Sequence, residues 1–146
     1  MVAVAIVCVF AALSLLHVYW AFGGNFGVDA AVPERPKRPG GGGDEQPAKA
    51  FKPSFAATLL VASVLASVSV LVSLRVGLFT PVVTHWSLRW LIIAIAFALL
   101  ARAVGEFNLV GFFKRVHGTA FARLDTWLYS PLCVGLSLGL LKVAFS

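Results

Sequence analysis

A chain of 146 residues that is 60% hydrophobic and only 12% charged has room for one domain and too little charge for a water-facing surface, since a soluble domain carries about 25% charged residues. Its net charge of +6 does not point to nucleic acid, because the basic residues flank apolar runs, where anionic lipid headgroups attract them. What remains is a single membrane domain over 1–146, with membrane lipids as its first partners and no nucleic acid.

The first apolar run, 2–22, has about the 20 residues that a helix needs to cross the hydrocarbon. No basic residue precedes it, it is too long for a signal core and no A-x-A site follows, so it reads as a retained span. Tyr19 and Trp20 are the amphipathic rings expected at the membrane–water boundary. Gly23 and Gly24 end the helix at little cost. The next stretch, 28–53, is rich in Pro, Gly and charge. It lacks the apolar surface needed to offset ordering and reads as a disordered tether.

The second span covers 55–79 and is stopped by Pro81. Ala62, Ser63, Ala66, Ser67, Ser69 and Ser73 are small residues of the kind that let helices approach closely, within one chain, with a second copy or with a complex partner. Arg75, near the end of this span, is expected to snorkel to the headgroups. A short loop makes the third span, 88–104, an antiparallel neighbour, with Trp86 and Trp90 marking the boundary.

The fourth run contains Ser130-Pro131. A helix starting there would be too short to cross, so the expected helix starts near Thr119, occupies 120–145 and kinks at Pro131. Gly135 and Gly139 form a G-x-x-x-G pair, a close-packing face. Cys8 and Cys133 fall roughly 10 Å apart in depth at 1.5 Å per residue, beyond disulfide reach, and read as two free, buried thiols. No segment has strand periodicity. The expected fold is therefore all-α: an integral membrane bundle of four transmembrane helices with a polar interfacial segment between the third and fourth.

Orientation follows from the Lys and Arg count. Arg35, Lys37, Arg38, Lys49, Lys52, Arg102, Lys114, Arg115 and Arg123 share one side, against Arg75, Arg89 and Lys142 on the other. Excess basic residues mark the cytoplasmic side, so both termini are expected outside.

Polar chemistry gathers between Arg102 and Asp125. Arg102, Glu106, Asn108, Lys114, His117, Arg123 and Asp125, joined by His17 and Trp20 from the same side, are the candidate pocket. His17 lies roughly 7 Å inside the helix end, where a polar group is costly and marks a site or a satisfied interfacial histidine. Each residue also has a structural role available. Arg102 can pair with Glu106 four residues on, or cap its helix. Asp125 can act as an N-cap, Lys114 and Arg115 can meet headgroups, and Phe107, Phe112, Phe113 and Phe121 can hold the segment in the interface. No metalloprotease, phosphate-loop or nucleophile-elbow motif is present, and His17, His85 and His117 lack metal-ligand spacing. No metal site is expected and no cofactor can be named.

His17-Val18-Tyr19-Trp20 with Gly23-Gly24, Arg102-Ala103-Val104-Gly105-Glu106-Phe107, Val110-Gly111-Phe112-Phe113-Lys114 and Tyr129-Ser130-Pro131-Leu132-Cys133 together resemble a bacterial family of small four-span membrane proteins catalogued only as a domain of unknown function. The resemblance covers nearly the whole chain apart from the Gly-rich linker. It implies a multi-pass protein of the bacterial inner membrane and no particular activity. Two function classes follow. One is a non-catalytic protein that binds a lipid or small ligand, or serves as a complex subunit, through a polar pocket at its cytoplasmic mouth. The other is a small membrane-embedded enzyme acting on a lipid-phase substrate, with His17 and Glu106 as acid and base and Arg102, Lys114 or Arg123 holding an anionic group.

Overall fold

The computed structural model describes residues 1–33, 53–79, 81–105, 109–115, 117 and 119–146. Helix α1 (Val2–Ala21) carries no Asp, Glu, Lys or Arg, so its backbone can satisfy itself in hydrocarbon without a charge to desolvate. It ends where Gly23, at φ 91°, turns the chain. There the Gly23 and Gly24 N–H groups donate to Trp20 O and Tyr19 O at 3.1 and 3.0 Å.

The next element corrects the expectation of a disordered stretch starting at Val28. Val28–Ala31 forms a single helical turn, α2, and Val32 and Pro33 behind it are buried. The Tyr129 hydroxyl donates to Ala30 O at 3.1 Å. The apolar residues Val28, Ala30, Ala31 and Val32 have surface to bury; the Pro/Gly-rich composition begins only after them. The rest of the expected tether, 34–52, lies outside the described residues.

Helix α3 (Phe55–Val76) starts at Ser54, whose side chain accepts from Ala57 N–H at 3.2 Å, and ends at left-handed Gly77. Helix α4 (Trp86–Val104) is capped by His85, whose ring nitrogen accepts from Ser87 N–H at 3.3 Å. The fourth run is composite. Thr119 accepts from Ala122 N–H at 3.1 Å and starts α5 (Ala120–Leu124). A π-register turn follows over Asp125–Tyr129 and leads into α6 (Ser130–Phe145). Pro131 has no N–H to give and its ring would press on the carbonyl four residues back in α register. The irregularity anticipated at Pro131 is this wider turn just before it.

Helices α1, α3 and α4 and the continuous run Ala120–Phe145 are each long and apolar enough to cross a membrane. Among the described residues there is no strand. The protein is an all-helical, multi-span membrane bundle with a polar segment between its third and fourth spans.

Helix α1 packs along α3, and α4 along α6; the two pairs then meet through α1–α6, α3–α4 and α3–α6. Ile6, Phe10, Val68, Val72, Ile92, Ala96, Leu136 and Leu140 form the shared core. Serine hydroxyls stitch the pairs: Ser14 donates to Ala62 O at 2.8 Å, Ser69 to Val7 O at 3.2 Å and Ser137 to Ala96 O at 2.8 Å. Of the small residues in α3, Ala62, Ser69 and Ser73 are buried, whereas Ser63, Ala66 and Ser67 face outward. The two glycines of the G-x-x-x-G pair also differ. A Cβ on Gly139 would come within 2.7 Å of Ile6 Cδ1, whereas one on Gly135 meets nothing within 4 Å.

The two cysteines are free, but Cys8 is exposed on the outer face of α1 and Cys133 is half-buried. Neither is the fully buried thiol expected from its apolar run. Arg75 does not reach outward: its Nη2 donates to Ala144 O at 3.4 Å and its Nε is buried. The guanidinium of Arg89 sits 4.6 Å over the Phe145 ring. Two cations thus lie at the C-terminal end of α6, the favourable end of its dipole for positive charge.

Candidate functional site

The site is built on two glycines. Gly105 ends α4 at φ 87°, and Gly111 returns the chain at φ 92°. A Cβ on Gly105 would overlap the Val110 carbonyl, and one on Gly111 would overlap Val104 O and the Gly105 Cα. No L side chain fits either position, sterically or conformationally. The crossing is fastened by the Phe112 N–H, which donates to Ala103 O at 2.9 Å. It leaves the Gly111 N–H free of its own loop, and Asp125 accepts it at 2.7 Å through Oδ2.

Asp125 is fully buried at the head of the π turn. Its Oδ2 also accepts from Lys114 Nζ at 3.1 Å, and its Oδ1 from Arg102 Nη2 at 2.8 Å. The Ser130 hydroxyl, one π turn further on, lies 3.5 Å from Oδ1 and accepts from Arg102 Nη1 at 3.4 Å. Lys114 has a fully buried side chain. Its ammonium donates to Asp125, to Gly111 O at 3.0 Å and to Thr126 Oγ1 at 2.6 Å. An ammonium has three N–H donors, and these three acceptors use them all. Thr126 passes its own proton back to Ala122 O at 3.1 Å.

Burying charge is expensive unless every charge is paired and every polar atom is bonded. This node meets that condition for Asp125 and Lys114. Arg102 differs, with its side chain 33% exposed. It borders a shallow groove of about 390 Å³ whose other walls are Ala101, Gly105 and Val110. Among the described residues the node holds two cations and one carboxylate. Among the described residues Lys114 alone balances Asp125, and Arg102 is a second cation at the surface of the node. Among the described residues no three His, Cys, Asp or Glu side chains converge.

The structure thus brings together Arg102, Lys114 and Asp125 from the expected pocket. Glu106 and Asn108 lie outside the described residues, and with them any His17–Glu106 or Arg102–Glu106 pair. His17 is half-buried, its Nδ1 lies 2.8 Å from Leu13 O of its own helix and its ring meets Trp20 edge-on at 4.9 Å. Trp20 Nε1 donates to Phe26 O at 2.7 Å, so this indole fastens the turn after α1. His117 and Arg123 are exposed and make no described contact with the node.

Two expected roles are corrected. Lys114 does not reach for headgroups, because Asp125, Thr126 and a carbonyl hold it inside. Asp125 is not an N-cap; Thr119 starts the helix and Asp125 sits within it. Gly111, Thr126 and Ser130 belong to the site although they are not among the candidate pocket residues; Gly111 and Ser130 lie in the segments that carry the family resemblance. For Ser130 the five-residue spacing from Asp125, just before a proline, is a further signal, and it matches the π turn.

The family described as "Protein of unknown function (DUF3995)" matches residues 4–140. That range contains all four spans' polar-side ends and the whole Arg102–Lys114–Asp125 node. No curated protein and no solved structure matches the chain. With nearly the full length matched, the chain belongs to the DUF3995 family of proteins of unknown function.

Proposed function

We propose that this membrane protein is a non-catalytic binder of an anionic ligand, held at the Arg102 groove on the cytoplasmic side of a bacterial inner membrane. The observation that carries this reading is the division of labour in the node. Lys114 is sealed and fully bonded, whereas Arg102 is one-third exposed beside a groove and is not needed to neutralise Asp125. A guanidinium carries five N–H donors in a planar fork suited to phosphate and carboxylate. Among the described residues its bonds run to Asp125 and Ser130, which leaves donors for a ligand. The Lys and Arg excess on this side supports a cytoplasmic placement with both termini outside. The reading does not use His17 as an acid or base: its described contacts are Leu13 O and the Trp20 ring, and none reaches the node.

The test is native mass spectrometry of the protein extracted from its membrane in mild detergent. The wild type should retain an anionic small molecule or lipid that Arg102→Gln loses. Equal retention by both proteins, or none by either, would sink the proposal.

A further inference from the structure

Among the described residues the groove has one cation and little else that is polar. Besides Arg102 it is lined by Ala101, Gly105 and Val110. Sites that hold small polar molecules specifically converge several polar groups on them. Among the described residues a water-soluble anion would find one guanidinium here and walls of Ala101, Gly105 and Val110. Most of the binding energy available in this groove is therefore apolar, and the ligand that can use it is an amphiphile.

Depth gives the same answer. Helix α4 runs for 19 residues from Trp86 to Val104, about 28 Å at 1.5 Å per residue, against a hydrocarbon thickness of about 30 Å. Arg102 lies in its last turn. Its backbone thus sits at the edge of the hydrocarbon, and its guanidinium, held by Asp125 and Ser130 but one-third exposed, is within reach of a lipid headgroup at that edge. Phe97, Ala101 and Val104, spaced four and three apart, are all exposed on the face of α4 that leads to the groove. A chain lying along that face reaches Arg102 without leaving the membrane.

Resting on the anion-binding reading above, we infer that the ligand is an anionic glycerophospholipid taken from within the bilayer. Its phosphate meets Arg102, and its glycerol and upper acyl chain lie against Ala101, Gly105 and Val110. Among the described residues Arg102 is the one charged side chain of the groove, and the preference it would impose is for net negative charge.

Thermal unfolding in a nonionic detergent, titrated with three compounds, tests this. They are dioctanoyl phosphatidylglycerol, dioctanoyl phosphatidylcholine and glycerol 3-phosphate. One headgroup charge beside one basic residue contributes about a fivefold difference in affinity. Phosphatidylglycerol should stabilise the wild type at about one-fifth of the phosphatidylcholine concentration, and Arg102→Gln should erase that preference. Glycerol 3-phosphate, which has the phosphate without the chains, should do nothing at the same concentrations. Ala101→Trp fills the groove and leaves the ion node intact; it should abolish the preference with Arg102 in place, and it decides the matter if Arg102→Gln fails to fold. Glycerol 3-phosphate acting as well as the lipid, in an Arg102-dependent way, would overturn the lipid inference and leave the anion reading standing. Equal response to the two lipids, or a full preference in Ala101→Trp, would also overturn it. No Arg102-dependent response to any compound would remove both.

Discussion

Replacing Lys114 by methionine removes the ammonium and keeps much of the side-chain volume. The ammonium is fully buried and donates to Asp125, Gly111 O and Thr126. Removing one partner from a buried ion pair costs about 3–5 kcal/mol, because the other charge stays behind unneutralised. Here Arg102 still holds Oδ1 of Asp125 at 2.8 Å, so the lower end, about 3 kcal/mol, applies. For a chain of 146 residues, each kcal/mol moves the midpoint by about 2–4 °C, and the expected loss is about 6–12 °C in a tryptophan-fluorescence melt in detergent. Arg102→Gln should lose less, because water reaches its exposed third and Lys114 still balances the carboxylate. Lys114→Met combined with Asp125→Asn should lose less than the two single changes summed, since no fully buried charge is then left without its partner and Arg102 is one-third exposed. A Lys114→Met midpoint within about 2 °C of the wild type, or a larger loss in Arg102→Gln than in Lys114→Met, would refute the assignment of structural and surface cations.

The glycines should separate cleanly by position. Gly105→Ala should leave little folded protein in gel filtration, as its Cβ would strike backbone at a left-handed residue. Gly139→Ala should lose on the order of 1 kcal/mol by pressing on buried Ile6, whereas Gly135→Ala, with open space around it, should be neutral or gain up to about 1 kcal/mol of helix propensity. A stabilising Gly139→Ala would contradict the close approach of α6 to α1. Tyr129→Phe removes the bond to Ala30 O and should speed chymotryptic cleavage at exposed Phe26; unchanged cleavage would mean that the hydroxyl does not hold α2 in place. For topology, Gly42→Cys and Ser146→Cys, each in a background with Cys8 and Cys133 replaced by serine, should react oppositely with an impermeant thiol reagent in intact cells. Labelling of Gly42→Cys from outside reverses the proposed orientation.

The four spans were legible because nothing in them competes with the reading. Runs such as Val2–Ala21 are apolar on every face, and a chain with 12% charged residues cannot keep such runs in water. The site was half legible. Its residues stand out as charges in an apolar chain, and Arg102, Lys114 and Asp125 were among them. Their pairing was not legible, because local spacing offered Arg102 a partner four residues away whereas the structure shows one 23 residues on, Asp125 of the next span. What brings them together is a backbone crossing of two glycines, which leaves no trace in charge or hydropathy. Residues 28–33 were misread for a related reason: one helical turn is too short to show periodicity, and its apolar residues border a Pro/Gly-rich stretch. Cys8 was misplaced because an all-apolar helix gives no sign of which face meets protein and which meets lipid.

The π turn sets the rotational phase of the fourth span. In an unbroken α-helix each residue advances about 100°, so the 12 steps from Asp125 to Ser137 would leave the two about 120° apart. Both are fully buried and both bond to α4, Asp125 through Arg102 and Ser137 through Ala96 O. Absorbing one residue in the widened turn leaves about 11 effective steps and a mismatch of only about 20°. Asp125–Tyr129 thus behaves as a one-residue insertion in an otherwise regular helix. Its reading frame on the α4 surface is shifted once, between the polar node and the apolar seam. Deleting exposed Trp127 or Leu128 would remove no contact of the node, yet it would restore uniform α pitch and turn the carboxylate away from both its cations. Length, more than side-chain identity, is what this turn has to conserve.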